Sequence, residues 1–224
     1  MPKPLGFKEF MSQGEHLREI DGDNSAAMES FELAYHLAET PVQKGQAQAQ
    51  IGLTHWHAQN YEEATQTFLD LLSFGEENDE PNCIALAHRN LSRSDLSWEP
   101  TDQLSHARMA YEYAVKARRS DRVWFAHGAF NSCLSNNLLG GEAAHWLEVQ
   151  EKELRRIREG EVEVDNSNNV VEIWETGYLM DRAALENSRA PLERALEIAK
   201  AHNLVKRVEQ LEALLAAFDQ PAQA

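Results

Sequence analysis

The sequence predicts an all-α protein built from antiparallel helix pairs. Helical hydrophobic periodicity runs through nearly all of the 224 residues, while runs of alternating or β-branched residues are short and scarce. One apolar pattern also recurs: an alanine, an aromatic residue four positions later and a small or apolar residue seven positions later. Its three copies begin at Ala27, Ala64 and Ala107. A pattern that recurs at this spacing is typical of stacked helical pairs.

Residues that cap helices or form turns divide the chain into eleven predicted helices. These residues cluster near positions 21–25, 60, 81–82, 100–102, 120–121 and 140–141. The predicted helices cover residues 6–20, 24–39, 43–58, 61–76, 81–95, 101–119, 121–139, 141–159, 168–186, 189–202 and 204–218. Pro191 is compatible with a helix because it falls in the first turn, where its missing N–H is not needed.

Taken two at a time, the helices give about five pairs followed by a single helix. The pairs are 6–39, 43–76, 81–119, 121–159 and 168–202, and Ala144 is the predicted anchor of the fourth. The last helix, 204–218, places apolar residues on one face, as expected of a cap that covers the final pair. They are Leu204, Val208, Leu211, Leu214, Leu215 and Phe218. We therefore predict one helical repeat domain over residues 1–219 and a disordered tail at 220–224.

The charged and polar segment 158–169 predicts a loop between the fourth and fifth pairs. Two interpretations stay open for it, an ordinary solvated linker and a hinge or lid.

Composition argues against several classes of partner. The chain has 21 Lys and Arg against 37 Asp and Glu, a formal net charge of −16, which disfavours binding to nucleic acid or to an anionic membrane. The start lacks a secretory apolar run and no stretch approaches the ~20 apolar residues of a membrane span, which predicts a cytoplasmic protein. Cys83 and Cys133 are predicted to be buried, reduced thiols.

The sequence predicts no metal site, no cofactor and no enzyme activity. His55 and His57 lie two residues apart on a helix, so they point in nearly opposite directions and cannot chelate one ion. Glu142 and His145 have the spacing used in di-iron bundles, but no second such pair is evident. Nucleophile elbows and glycine-rich phosphate loops are also lacking. The nine histidines are expected to be surface or packing residues that give some pH sensitivity.

Residues 51–71 resemble a tetratricopeptide repeat. Gly52 stands where the two helices cross closely, Tyr61 opens the second helix, and Ala64 and Phe68 pack between the helices. In the first pair, Gly14 lies one residue out of the matching register. The resemblance implies a right-handed α-solenoid whose concave wall is lined by the first helix of each pair. Such a wall usually binds an extended peptide or a partner helix.

Arg89, Asn90 and Arg93 are the main candidates for peptide binding. The two arginines are spaced i, i+4, so they share a face of the first helix of the central pair. On a concave face, they and Asn90 could hold a carboxylate or backbone amides of a peptide. The resemblance allows this comparison, since some tetratricopeptide domains hold a C-terminal carboxylate. The alternative is outer salt bridges to Glu80 or Asp95.

His57 and Asn131 are further candidates for the groove. His57 follows Trp56, which in this position is more often a core residue than a ligand platform. Asn136 and Asn137 are also candidates for the groove, although residues just before a glycine pair commonly end a helix.

We therefore predict a non-catalytic scaffold or adaptor that binds a partner peptide or helix in its concave groove. One alternative is a sensor module for a small ligand or a signalling peptide. The least favoured alternative is an enzyme with a site hidden in the bundle core. A homodimer through Phe7, Phe10 and Met11 is left open.

Overall fold

The computed structural model describes residues 5–93, 96, 99–136 and 140–218. These residues form helices connected by short turns and loops, which confirms the all-α prediction. Successive helices pack in antiparallel pairs. The eleven α-helices in the described ranges are α1 Phe7–His16, α2 Asn24–Leu37, α3 Pro41–His57, α4 Tyr61–Glu77, α5 Pro81–Leu91, α6 Pro100–Lys116, α7 Arg122–Ser135, α8 Gly141–Arg158, α9 Val170–Glu186, α10 Ala190–Ala201 and α11 Val205–Phe218.

The chain divides into two compact units, Met1–Arg119 and Ser120–Ala224. The first unit holds α1 to α6 and the second holds α7 to α11. A single domain over residues 1–219 and a right-handed superhelix stay predictions. The predicted tail at 220–224 lies outside the described residues. No helix in the described part of the chain is both long enough and apolar enough to span a membrane.

The start of α3 shows how local chemistry sets a helix boundary. Thr40 Oγ1 accepts a hydrogen bond from Gln43 N at 3.2 Å, and Gln43 Oε1 accepts one from Thr40 N at 3.3 Å. This capping box satisfies backbone N–H groups that a helix start leaves unpaired, and Pro41 occupies the first turn. The helix therefore begins two residues before the predicted position 43.

In the first unit, two glycines bring paired helices into close contact through aromatic rings. A Cβ atom on Gly52 would lie 2.8 Å from Phe68 Cδ1, and one on Gly14 would lie 2.9 Å from Phe31 Cδ1. Both phenylalanines are fully buried. The first two pairs thus share the glycine–phenylalanine contact that was expected of residues 51–71.

A π-helical turn explains why Gly14 is out of register by one residue. Residues Leu17–Asp21 continue α1 as a π-helix. A π-turn accommodates one more residue than an α-turn of similar length. The extra residue lies between Gly14 and Phe31, so the glycine still reaches the ring.

The π-helical turn also carries a buried arginine. Arg18 is only 8% exposed and its Nη2 donates to Gln50 Oε1 at 2.7 Å, while Nη1 donates to Thr54 Oγ1 at 3.3 Å. Gln50 and Thr54 belong to α3, so this side chain connects the first helix pair to the second. Its guanidinium lies over the Phe31 ring, 5.2 Å from the centroid.

The third pair approaches the second through small residues. A Cβ atom on Gly75 would lie 2.9 Å from the backbone nitrogen of Ile84, and one on Gly45 would overlap Cys83. The Cys83 side chain is fully buried, and burial raises the pKa of its thiol to about 11. Cys83 therefore acts as a small apolar packing residue, as predicted, and α5 can lie against both α3 and α4.

In the second unit, the fourth copy of the repeat pattern is anchored one residue earlier than predicted. Ala143 is fully buried, whereas Ala144 is partly exposed. Because neighbouring helical residues point about 100° apart, only one of two adjacent alanines can face the core. Gly128 also differs from the glycines of the first unit, since a Cβ atom there would contact nothing within 4 Å.

The capping helix α11 is confirmed, but its apolar face is only partly covered. Leu211 and Leu215 are buried against residues of α9 and α10. Leu214 is 39% exposed and Phe218 is 41% exposed, although both were expected to pack. They line a groove together with Met180 of α9 and Leu192 of α10.

Side chains fasten the linker between α8 and α9 at both ends. Arg156 Nε donates to Glu161 Oε2 at 3.1 Å, and Asn166 Oδ1 accepts from Val171 N at 2.9 Å. Arg158 also forms an ion pair with Glu175. These contacts favour the linker interpretation of the segment over a hinge or lid.

The two kinds of glycine predict opposite effects of adding a methyl group. Gly52→Ala is expected to destabilise the protein by about 1–3 kcal/mol, because the new Cβ overlaps Phe68. Gly128→Ala is expected to stabilise it by about 0.5–1 kcal/mol, because the site is open and alanine favours the helix. Urea unfolding followed by circular dichroism measures both effects. Equal stability of the two variants would show that Gly52 is not a close-contact position.

Candidate functional site

Three of the predicted binding residues meet around Trp56 in the first unit. The Arg93 guanidinium lies over the Trp56 indole, 4.3 Å from the ring centroid. Arg93 Nε also donates to Asn90 Oδ1 at 3.4 Å. The His57 ring lies edge to face with the same indole, with the ring centroids 5.0 Å apart. We call Trp56, His57, Asn90 and Arg93 the Trp56 patch.

The fold brings the patch together by placing the first helices of two pairs side by side. Trp56 and His57 end α3, while Asn90 lies in the last turn of α5 and Arg93 follows it. The two helices contact each other directly. Trp56 packs in part against the core cluster that contains Phe68, so its ring position is fixed by the fold. The indole is therefore both a packing residue and the surface on which Arg93 rests.

His57 contributes a neutral imidazole ring to the patch. Its side chain is 36% exposed, and its Nε2 lies 3.7 Å from Glu19 Oε1. Partial burial lowers the pKa of His57; the nearby Arg18 and Arg93 lower it further, and Glu19 opposes them. A lowered pKa keeps the imidazole neutral near pH 7.

Asn90 has a positioning role. It is 3% exposed, and its Nδ2 donates to the backbone oxygen of Leu86 at 2.9 Å, which leaves Oδ1 facing Arg93. Arg89 is half-buried, one turn before Arg93. Of the two acidic neighbours weighed as salt-bridge partners, Glu80 uses its Oε1 to accept from Asn82 N at the start of α5. Asp95 lies outside the described residues.

Asn131 belongs to the second unit, where it is part of a polar network that the sequence reasoning missed. Its Nδ2 lies 3.0 Å from His127 Nε2, and His127 Nδ1 lies 2.6 Å from Asp181 Oδ2. The same carboxylate oxygen accepts from Gln150 Nε2 at 2.9 Å. Asp181 is 4% exposed and Gln150 is fully buried. The network therefore joins α7, α8 and α9 through polar side chains inside the unit.

A signal for this network is present in the sequence. Counted from the correct anchor Ala143, Gln150 stands seven positions later, where the other copies have Ala34, Leu71 and Ala114. All four side chains are fully buried. A glutamine at a position that otherwise holds apolar residues indicates a special role, because a buried amide needs hydrogen-bond partners. When the count starts at Ala144 instead, the position seven residues later is Glu151, and Gln150 is not compared with Ala34, Leu71 and Ala114.

The remaining candidates have local structural roles. Glu142 Oε1 accepts a hydrogen bond from Trp146 Nε1 at 3.1 Å, and the His145 ring lies against the same indole. Asn136 ends α7, with its Nδ2 donating to Ser132 O at 2.7 Å. Asn137 lies outside the described residues. Within the described ranges, no group of three or more His, Cys, Asp or Glu side chains is arranged to hold a metal ion.

Comparison with known proteins gives a likeness of fold. No family model matches the chain. No curated protein matches it in sequence. Among solved structures, the apo form of RapI superposes with a TM-score of 0.55 at 14% sequence identity, covering 95% of this chain and 82% of that one. At this identity, the match supports the all-helical, paired arrangement and carries no residue roles across.

Proposed function

We propose that the chain is a non-catalytic scaffold or adaptor that binds a segment of a partner protein at the Trp56 patch. The main observation in favour is the stacking of Arg93 on Trp56 at 4.3 Å. A guanidinium that rests on an indole loses less freedom when it binds a ligand, since its plane is already oriented. Its N–H groups lie at the edge of that plane and suit a carboxylate.

The charge of the patch indicates an acidic partner segment. The whole chain carries a formal net charge of −16, but here Arg89 and Arg93 lie one helical turn apart. Arg18 also lies near His57, where its charge is paired with that of Glu19 at 2.9 Å. A local positive site on an acidic protein selects ligands by charge, because acidic peptides are repelled elsewhere. We propose that an aspartate, a glutamate or a C-terminal carboxylate of the peptide contacts Arg93.

The absence of catalysis is part of the same proposal. The titratable groups of the patch are His57 and Arg93, and arginine stays protonated in proteins. Glu19 lies beside His57 and could orient it. The four residues of the patch include no serine, threonine or cysteine that His57 could activate as a nucleophile. These groups suit recognition of a carboxylate, with His57 as a neutral hydrogen-bonding group.

Peptide selection followed by binding measurements tests the proposal. Peptides with free C-termini would be selected from a random library on the full chain, and their affinities measured by fluorescence polarisation. We expect the selected peptides to be enriched in acidic residues. The Arg89→Ala/Arg93→Ala variant is expected to bind these peptides about 10- to 100-fold more weakly, because it loses charge-assisted hydrogen bonds to the carboxylate.

A matched control separates the patch from a general effect of charge. Arg108→Ala/Arg118→Ala removes the same charge from exposed positions in and just after α6, the second helix of its pair. It is expected to leave affinity within about twofold, since distant surface charges are screened by salt. Equal loss in both variants, or no acidic preference among the peptides, would reject the patch as the binding site.

A further inference from the structure

We propose that a cavity in the second unit binds a small free amino acid, a function separate from peptide binding at the Trp56 patch. The cavity, of about 90 Å³, lies between α7, α8, α9 and α11. The residues that matter here are Trp124, His127, Gln150, Trp174, Gly177 and Arg207. We call it the Gln150 cavity.

Gln150 provides a buried acceptor for a ligand. Its Nε2 donates to Asp181 Oδ2 at 2.9 Å, so the amide orientation is fixed by the carboxylate. Its Oε1 is buried and has no hydrogen-bond partner among the described residues. Leaving a buried acceptor without a donor costs free energy. A ligand N–H group would satisfy it and recover that free energy.

The surrounding network holds Gln150 in place. Asp181 accepts from both Gln150 and His127, and His127 in turn contacts Asn131. Three helices therefore fix the amide before any ligand arrives. A preorganised acceptor of this kind lowers the cost of binding.

Arg207 provides a positive charge for the carboxylate of the ligand. Among the described residues, Arg207 hydrogen-bonds to Met180 Sδ and Gln210 Oε1, and Nη1 makes both contacts. The guanidinium has five N–H donors, so Nε and Nη2 remain able to contact a carboxylate. Arg207 lines the cavity from α11, and Gln150 lines it from α8.

The aromatic walls and the size of the cavity narrow the class of ligand. Trp124 and Trp174 line it, and indole faces attract an ammonium group. Gly177 adds no side chain to the wall, and the space beside it is open, since a Cβ atom there would contact nothing within 4 Å. An ammonium group facing Gln150 and the indoles, and a carboxylate facing Arg207, are the two ends of an α-amino acid. The small volume favours glycine, alanine or serine over amino acids with large side chains.

Calorimetric titration of the full chain with glycine, L-alanine and L-serine tests the proposal. We expect at least one of them to bind with a millimolar or lower Kd and to raise the thermal unfolding midpoint. N-acetylglycine lacks the ammonium group and glycine methyl ester lacks the carboxylate, so both are expected to bind at least about tenfold more weakly.

Two substitutions test the residues. Gln150→Leu introduces the apolar residue that the second copy of the repeat pattern has at the equivalent position, Leu71. The variant should therefore fold stably, while its affinity for the amino acid should fall by about tenfold or more. Arg207→Leu should lose binding to a similar degree. Arg194→Leu, at an exposed position on α10, is the charge-matched control and should bind like the native chain.

Three results would overturn the assignment. They are no binding of any of the three amino acids, undiminished binding by both Gln150→Leu and Arg207→Leu, and equal binding of the methyl ester. If circular dichroism shows that Gln150→Leu does not fold, Arg207→Leu and the blocked ligands decide the question.

Discussion

Replacing Phe68 by alanine is expected to lower the free energy of unfolding by about 3–5 kcal/mol, the largest effect of any single substitution considered for this fold. The ring is fully buried, and its atoms are the nearest that a Cβ atom on Gly52 would meet. Alanine would leave a cavity between α3 and α4, and the core cluster with Leu91 would lose its largest member. Urea unfolding monitored by circular dichroism measures the change.

Phe218→Ala is the matched control for this substitution. Phe218 is 41% exposed, so the same chemical change should cost well under about 1 kcal/mol. A similar loss in the two variants would mean that the glycine–phenylalanine contact does not organise the first unit. Because the chain has two compact units, the unfolding curve should be fitted for two transitions as well as one.

Acidification between pH 6.5 and about 4 is expected to destabilise the protein through a buried histidine pair. His88 Nδ1 lies 2.8 Å from His106 Nδ1, between α5 and α6, with the Tyr113 ring nearby. Burial, and then the proximity of His106, lower the pKa of His88 to about 4. Burial also lowers the pKa of His106, and Asp102 opposes that shift.

The direction of the effect follows from the two pKa values of His88. In the unfolded chain, His88 takes up a proton near pH 6.5, whereas in the folded protein it does so only near pH 4. Between these values, the unfolded state binds more protons than the folded state. The contribution of His88 to stability is therefore fully present above pH 6.5 and is lost as the pH falls towards 4. After allowance for partial solvent screening, the loss amounts to about 2 kcal/mol.

His88→Gln isolates this contribution from those of the many carboxylates. Glutamine keeps hydrogen-bonding capacity but does not titrate, so the stability difference between native chain and variant should change by about 2 kcal/mol from pH 7 to pH 4. The measurement is a series of urea unfolding curves at several pH values. A difference that stays constant with pH would contradict the depressed pKa.

Most of the fold could be predicted because helix periodicity and capping are local signals. The boundaries at Asn24, Tyr61 and Pro81 match because cap and turn residues stand beside them. The offset at Ala144 could not be resolved in this way. Two adjacent alanines are equivalent in a hydrophobic pattern, and only packing shows which one faces the core.

The candidate sites were harder to predict because they depend on contacts between helices distant in sequence. The sequence singles out His57 and Arg93 separately, and for the Trp56 indole that contacts both it favours a core role over a binding role. The Asp181 network was missed because Gln150 and His127 lie 31 and 54 residues from Asp181 in the sequence and follow no short motif. A single buried glutamine was the only sign of it in the repeat pattern.

The π-helical turn at Leu17–Asp21 has a consequence for how such repeats vary in length. The first two pairs share a contact between a glycine and a phenylalanine ring. The number of residues that separate the glycine from the phenylalanine in the sequence differs by one between the two pairs. A helix that widens for one turn can take up an inserted residue without displacing the contacts on either side. Insertions can therefore be accommodated inside a helix of this array as well as in its loops.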